Sequence, residues 1–288
     1  MKIAFSGLGV MGAPMAGHLV KAGHEVTGHN RSPEKAHAWA SANDACAVGS
    51  LAEVSGEIEA LILCVGNDAD VREVVEAALP GMRAGAVIVD HTTTSAKVAR
   101  EIADLAAARN VAFLDAPVSG GQAGAEAGQL SIMIGGDAEA LAKVEPVLAV
   151  YAKAIRHMGP AGSGQLTKMA NQIAIAGVVQ GLAEAVHFAQ SAGLDTDAVY
   201  EAISKGAAQS WQMDNRWKTA AAGQFDFGFA VDWMRKDLGL VLEEARANGS
   251  HLALTALVDQ FYSEVQAMGG SRWDTSSLAA RLQARKRF

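Results

Sequence analysis

Lys2-Ile3-Ala4-Phe5-Ser6-Gly7-Leu8-Gly9-Val10-Met11-Gly12 carries an apolar run straight into G-x-G-x-x-G, and a helical pattern follows over 11–21. Glycines at this spacing permit a tight turn. They also let backbone N–H groups approach a pyrophosphate, which the helix amino terminus then stabilises. Gly is common in turns, so the pattern takes its weight from the strand before it and the helix after it. The stretch predicts a dinucleotide site built on Gly7, Leu8, Gly9, Val10, Met11 and Gly12.

Outward from this loop, short apolar runs alternate with helical patterns. Strands are expected at 25–29, 60–65, 86–90 and 111–115, with weaker ones near Ala47 and at 132–134. Helices fit between them, such as 68–79, which Pro80-Gly81 stops. This alternation implies an α/β fold, with an N-terminal Rossmann doubly wound parallel sheet covered by helices. After Gly159-Pro160-Ala161-Gly162-Ser163-Gly164 strand signals nearly vanish, and helices are expected at 165–191, 196–205, 232–248 and 252–268. The expected organisation is therefore a dinucleotide-binding domain over 1–161 and an all-α domain over 162–288, serving substrate and dimerisation.

The end of the second strand bears on which dinucleotide is bound. An acidic residue there would accept the ribose 2′-OH of NAD and repel a 2′-phosphate. Instead the chain reads Asn30-Arg31-Ser32, and a guanidinium matches phosphate geometry, so NADP is expected, with NAD possible. The competing reading makes Arg31 a solvated loop residue and Ser32 the cap of a helix starting at Pro33. Two further strand ends, Val65-Gly66-Asn67 and Asp90-His91-Thr92-Thr93-Thr94, face the same sheet edge. Val65, Asn67 and Thr93 are candidate cofactor contacts there, set against ordinary turn and cap roles.

Leu114-Asp115-Ala116-Pro117-Val118-Ser119-Gly120-Gly121-Gln122-Ala123-Gly124 continues the last strong strand. Small residues after Pro117 can aim several N–H groups and the Ser119 hydroxyl at one point, a nest suited to a carboxylate. Further on, Lys168 is the one charged side chain between Arg156 and Glu184. An ammonium on so apolar a helix loses solvation, which favours the neutral form and suits it to proton exchange. Asn171 shares its helix face, and Gly164 one turn earlier is expected to leave space for a ligand. Asp232, Trp233, Lys236 and Gly239 fall along one side of a later helix.

Taken together, GLGVMGAPM from Gly7, DAPVSGG from Asp115, GSGQLTKMAN from Gly162 and Lys236-Asp237-Leu238 resemble the β-hydroxyacid dehydrogenase family over almost the whole chain. That resemblance implies Lys168 as the catalytic lysine, and Asn171 as the asparagine that helps orient substrate. It implies Ser119, Gly120 and Gly121 as the substrate carboxylate loop, Lys236 as the lysine near the nicotinamide and the active-site mouth, and Thr93 as a cofactor contact. Gly66 departs from the family pattern, where a proline is usual, as does His91 in a turn that usually reads Asp-x-Ser-Thr.

The implied activity is hydride transfer between NADP(H) and a small β-hydroxy acid or semialdehyde acid, with a lysine general acid/base. One rival is an imine reductase of the same fold, against which Lys168 argues. A non-catalytic NADP-binding protein is the other, and it would be expected to have lost that lysine. Trp211, Met213, Phe229 and Trp233 could shape the far wall of a pocket, but aromatic residues on helices more often form core, so they do not select a substrate.

With 288 residues, half of them apolar, 19% charged and a net charge of −7, the composition fits a globular protein and disfavours nucleic acid as a partner. The basic stretch Arg281-Leu282-Gln283-Ala284-Arg285-Lys286-Arg287 is expected to be a solvated helix end. Cys46 and Cys64 are read as reduced thiols in buried strands, consistent with a cytoplasmic protein. No signal-peptide pattern is read at the start, and no membrane span, since the most apolar stretch contains Lys168, Asn171 and Gln172. The apolar helix around 173–186 is expected to support a dimer or tetramer.

Overall fold

The computed structural model describes residues 1–284, which divide into two compact units between Lys168 and Met169. In chain order the first unit contains β1 (Lys2–Ser6), α1 (Gly12–Lys21), β2 (Glu25–His29), α2 (Pro33–Asn43), β3 (Cys46–Ala47), β4 (Ala60–Leu63) and α3 (Asp68–Ala78). It continues with β5 (Val87–Asp90), α4 (Ala96–Ala107), β6 (Ala112–Asp115), β7 (Val118–Ser119), α5 (Gly121–Glu126), β8 (Leu130–Gly136), α6 (Ala138–Leu148) and β9 (Ala152–Gly159). Helix α7 (Ser163–Ser191) begins in this unit and continues into the second.

Six strands run parallel in the order β3-β2-β1-β4-β5-β6, the doubly wound arrangement in which the chain reverses direction beside β1. Side chains alternate across these strands. Ile3, Phe5, Ala60, Ile62, Val87 and Val89 enter one core, while Ala4, Leu61, Leu63 and Ile88 enter a second on the opposite face. Each fully buried Val, Leu or Ile contributes about 1.5 to 3 kcal/mol, so both faces demand a helical cover.

Past β6 the parallel sheet is extended by strands of mixed direction. β8 runs antiparallel to both β6 and β7, and β9 pairs with β8 in parallel. β9 was not legible because Ala152-Lys153-Ala154-Ile155-Arg156-His157-Met158-Gly159 lacks clean alternation, and most of it is exposed or half-buried.

The second unit is helical: after α7 come α8 (Thr196–Ile203), α9 (Trp211–Ala221), α10 (Val231–Asn248), α11 (Ala253–Ala267) and α12 (Leu278–Ala284). Ala176, Val179 and Ala183 of α7 share a core with Val231, Met234 and Leu238 of α10 and with Val258, Tyr262 and Val265 of α11. By length and composition alone α7 could cross a membrane, but this packing makes it a core helix.

Two expectations are corrected here. Cys46 is exposed on the two-residue edge strand β3, and Cys64 is half-buried just past the end of β4, so neither is a core thiol. Arg281 is buried rather than solvated, its guanidinium 3.6 Å from the Phe261 ring centre and 3.5 Å from the Glu264 carboxylate. The remainder of that basic stretch, from Arg285, lies outside the described residues.

Candidate active site

The three glycines of the first turn answer to different demands. Gly7 has φ +98°, and a Cβ on it would lie 2.2 Å from the Cys64 carbonyl oxygen. A Cβ on Gly12 would lie 1.8 Å from the Gly7 oxygen. These two therefore hold backbone against backbone, whereas Gly9 has nothing within 4 Å of where its Cβ would be. That open space, beside the amino terminus of α1, could hold a pyrophosphate. Val10 is exposed next to it, and Met11 is the half-buried residue just before α1.

Asn30 braces this loop, accepting from the Leu8 N–H at 3.1 Å and donating to the Ser32 carbonyl at 3.3 Å. Ser32 precedes α2 at the capping position, yet its hydroxyl makes no capping hydrogen bond. Arg31 is largely exposed and pairs with Asp70 at 3.3 Å. Asn67 proves to be a helix cap: its Oδ1 accepts from the N–H groups of Ala69 and Asp70, opening α3. The Val65 N–H donates to the Thr92 hydroxyl at 3.0 Å, which joins the ends of β4 and β5, and Thr93 follows half-buried.

The start of α7 is fixed to the carboxyl ends of β5 and β6 by two fully buried side chains. Asp115 accepts from the Gly162 N–H at 2.7 Å and from the Gln165 N–H at 2.8 Å. Burial raises its carboxyl pKa, and these backbone donors pull the other way. Gln165 donates to the Thr92 carbonyl at 2.7 Å and accepts from the Thr94 N–H at 3.1 Å. Lys168, three residues further along and so on the same side of the helix, is buried with 8% of its surface exposed. Gly164 does not leave ligand space, contrary to expectation: a Cβ there would meet the Met133 and Asp115 carbonyl oxygens at 2.5 and 2.6 Å. It is a glycine because α7 starts in contact with the sheet backbone.

His91, the departure noted in the strand-end turn, is a buried structural group. Its Nδ1 lies 2.6 Å from the Ala116 carbonyl and its Nε2 2.8 Å from the Tyr151 hydroxyl. Burial lowers its pKa to about 4, so the neutral ring donates to Ala116 and accepts from Tyr151. Ser119 ends β7, opposite Ser131 of β8, and Gly120 and Gly121 follow with φ +136° and +61°. Both are backbone conformations that favour glycine, and Gly120 stands at the capping position of α5.

In the second unit Asn171 and Lys236 belong to one polar chain. Asn171 donates to the Gln172 side-chain oxygen at 2.9 Å, and Gln172 donates to Asp237 at 2.7 Å. The Lys236 ammonium lies 3.2 Å from the same carboxylate. Of the four large apolar residues considered for a pocket wall, Met213 is core, while Trp211, Phe229 and Trp233 are exposed. Sequence reasoning gave no role to Asp115, Gln165, Gln172 or Asp237, although each stands in or beside a motif it quoted. Their polarity within apolar surroundings was the available signal.

Comparison with known proteins agrees with the fold. Residues 2–159 match the family model of the NAD-binding domain of 6-phosphogluconate dehydrogenase. Residues 162–282 match that of the NAD-binding region of NADP-dependent 3-hydroxyisobutyrate dehydrogenase. An uncharacterised oxidoreductase of Shewanella frigidimarina is 61% identical over 98% of each chain. A probable 3-hydroxyisobutyrate dehydrogenase-like protein of Arabidopsis thaliana is 41% identical over 98% of this chain and 85% of its own. The solved Mycobacterium tuberculosis 3-hydroxyisobutyrate dehydrogenase with L-serine superposes with a TM-score of 0.90 at 33% identity, covering 98% of this chain and 99% of that one. The chain belongs to the β-hydroxyacid dehydrogenase family of NAD(P)-dependent oxidoreductases.

Proposed function

We propose that this protein interconverts small 3-hydroxy acids and the corresponding semialdehyde acids, with NADP(H) as the preferred coenzyme and Lys168 as general acid/base. The observation that carries the reading is a buried lysine one helical turn beyond Gln165, on a helix whose first turn is bonded to the ends of β5 and β6. Those strand ends lie on the same sheet edge as the glycine loop, where ligands of open parallel sheets gather.

When bound, the nicotinamide supplies the hydride acceptor. In the oxidative direction the neutral Lys168 amine takes the proton of the substrate hydroxyl as the C–H bond gives up its hydride, so a carbonyl forms and the lysine becomes an ammonium. In reduction the ammonium returns that proton to the carbonyl oxygen. The Ser119 hydroxyl and the N–H groups around Gly120 and Gly121 hold the substrate carboxylate. Asn171 matches the family's substrate-orienting asparagine, and Lys236, paired with Asp237 at 3.2 Å, matches its second lysine. Gly7 to Gly12 hold the pyrophosphate, while Arg31 and Ser32 receive the ribose 2′-phosphate. Thr93, Val65 and Asn67 line the nicotinamide side.

Exposed Val178 and Phe188 on α7 and Leu254 and Leu257 on α11 support self-association, which light scattering would register as a dimer or tetramer. The catalytic reading is tested with a panel of 3-hydroxy acids that includes 3-hydroxyisobutyrate and L-serine, each supplied with NADP or NAD. Formation of reduced cofactor with NADP favoured is the expected result. Cofactor binding without turnover of any member would overturn it.

A further inference from the structure

Asp70 holds a position on the cofactor rim that the catalytic reading does not use. It stands in the first turn of α3, and its two carboxylate oxygens face in different directions. Oδ2 accepts from the Gly66 N–H at 3.1 Å, and Oδ1 lies 3.3 Å from the Arg31 guanidinium. The backbone bond anchors the carboxylate, whose side chain is 22% exposed, while the arginine is 81% exposed. Gly66 is what admits this arrangement. A Cβ there would lie 2.5 Å from Oδ2, and a proline would remove the N–H as well. The neighbouring carboxylate of Asp68 is spent elsewhere, accepting from the Ser95 N–H at 2.9 Å and from the Ser95 hydroxyl at 2.5 Å.

The geometry points to Asp70 as a coenzyme-selecting residue: its carboxylate takes up part of the Arg31 charge that a ribose 2′-phosphate would otherwise receive, and so moderates the preference for NADP over NAD. This rests on the reading of Arg31 as the 2′-phosphate contact. A carboxylate anchored beside the guanidinium stays when a dinucleotide binds, so an incoming phosphate meets both the cation and a fixed anion. The 2′-OH of NAD carries no charge and is almost indifferent to that anion.

The test is equilibrium binding of 2′,5′-ADP and 5′-AMP to the full-length protein at low ionic strength, by calorimetry, for wild type, D70N and R31A. Asparagine keeps an acceptor for the Gly66 N–H and removes only the charge. D70N is expected to bind 2′,5′-ADP about fivefold more tightly while 5′-AMP changes less than about twofold. If wild type prefers 2′,5′-ADP, R31A loses that preference and D70N binds it no more tightly, the role of Asp70 is overturned and the Arg31 reading stands. If R31A leaves both probes unchanged, the NADP reading fails, and the role of Asp70 fails with it.

Discussion

The start of α7 and the rim formed by Arg31 both lie at the carboxyl edge of the same parallel sheet, the one beyond β5 and β6 and the other beyond β2, yet they are built in opposite ways. At α7, Asp115 and Gln165 are fully buried and make four hydrogen bonds to backbone groups. At the rim, Arg31 is mostly exposed and pairs with one carboxylate at 3.3 Å. A buried polar group left without its partner costs about 1 to 3 kcal/mol, so buried bonds fix position strongly, whereas exposed ion pairs contribute about 0 to 1 kcal/mol. The difference separates two tasks. On the proposed mechanism, the group that exchanges the proton sits beside the buried anchor, and coenzyme choice sits where one side chain can change it.

The comparison can be broken most forcefully at its rigid end. Lys168→Ala is expected to slow the chemical step by about 10²-fold or more while NADP affinity stays within about twofold. Steady-state kinetics and calorimetry read the two quantities separately, and unchanged turnover would sink the assignment. Gln165→Leu leaves the Thr92 carbonyl and the Thr94 N–H buried without this partner, so urea unfolding should show a loss of about 2 kcal/mol or more. A loss below about 0.5 kcal/mol would mean that α7 is anchored by other means.

His91 sharpens the same point through pH. Its folded pKa, about 4, lies below the usual 6.5, so the unfolded chain binds more protons between those values and stability falls as pH drops through that window. Asp115, whose pKa is raised, acts in the opposite sense, losing its stabilising contribution as pH rises. The wild type should therefore lose about 2 to 3 kcal/mol more than His91→Gln between pH 7 and about pH 4. Parallel stability curves for the two proteins would show that His91 does not titrate differently on folding. The smallest of these effects belongs to the rim: Arg31→Ala should weaken NADP binding about tenfold and leave NAD nearly unchanged. Equal weakening of both would move the 2′-phosphate contact elsewhere.

The glycine loop was legible because its demands are local: Gly7 and Gly12 have no room for a Cβ, and the flanking strand and helix adjoin them. Lys168 stands out in the sequence because a single charge in an apolar helix needs a reason, and the structure buries it. The anchoring of that helix was not legible, since Asp115 bonds Gln165 across 50 positions and only the folded sheet brings them together. Gly164 was misread for the same cause, its neighbours being carbonyls of β6 and β8 rather than a ligand. Asn67 shows the converse, a polar residue at a strand end whose oxygen serves the next helix.

The central claim is direct hydride transfer from the carbinol carbon of a 3-hydroxy acid. Incubating the protein with NADP and a 3-hydroxy acid deuterated at that carbon, then examining the reduced cofactor by NMR, tests it most directly. One deuterium at nicotinamide C4, on a single face, is the expected result. Protium at C4, or no reduced cofactor from any 3-hydroxy acid of the panel, would contradict it.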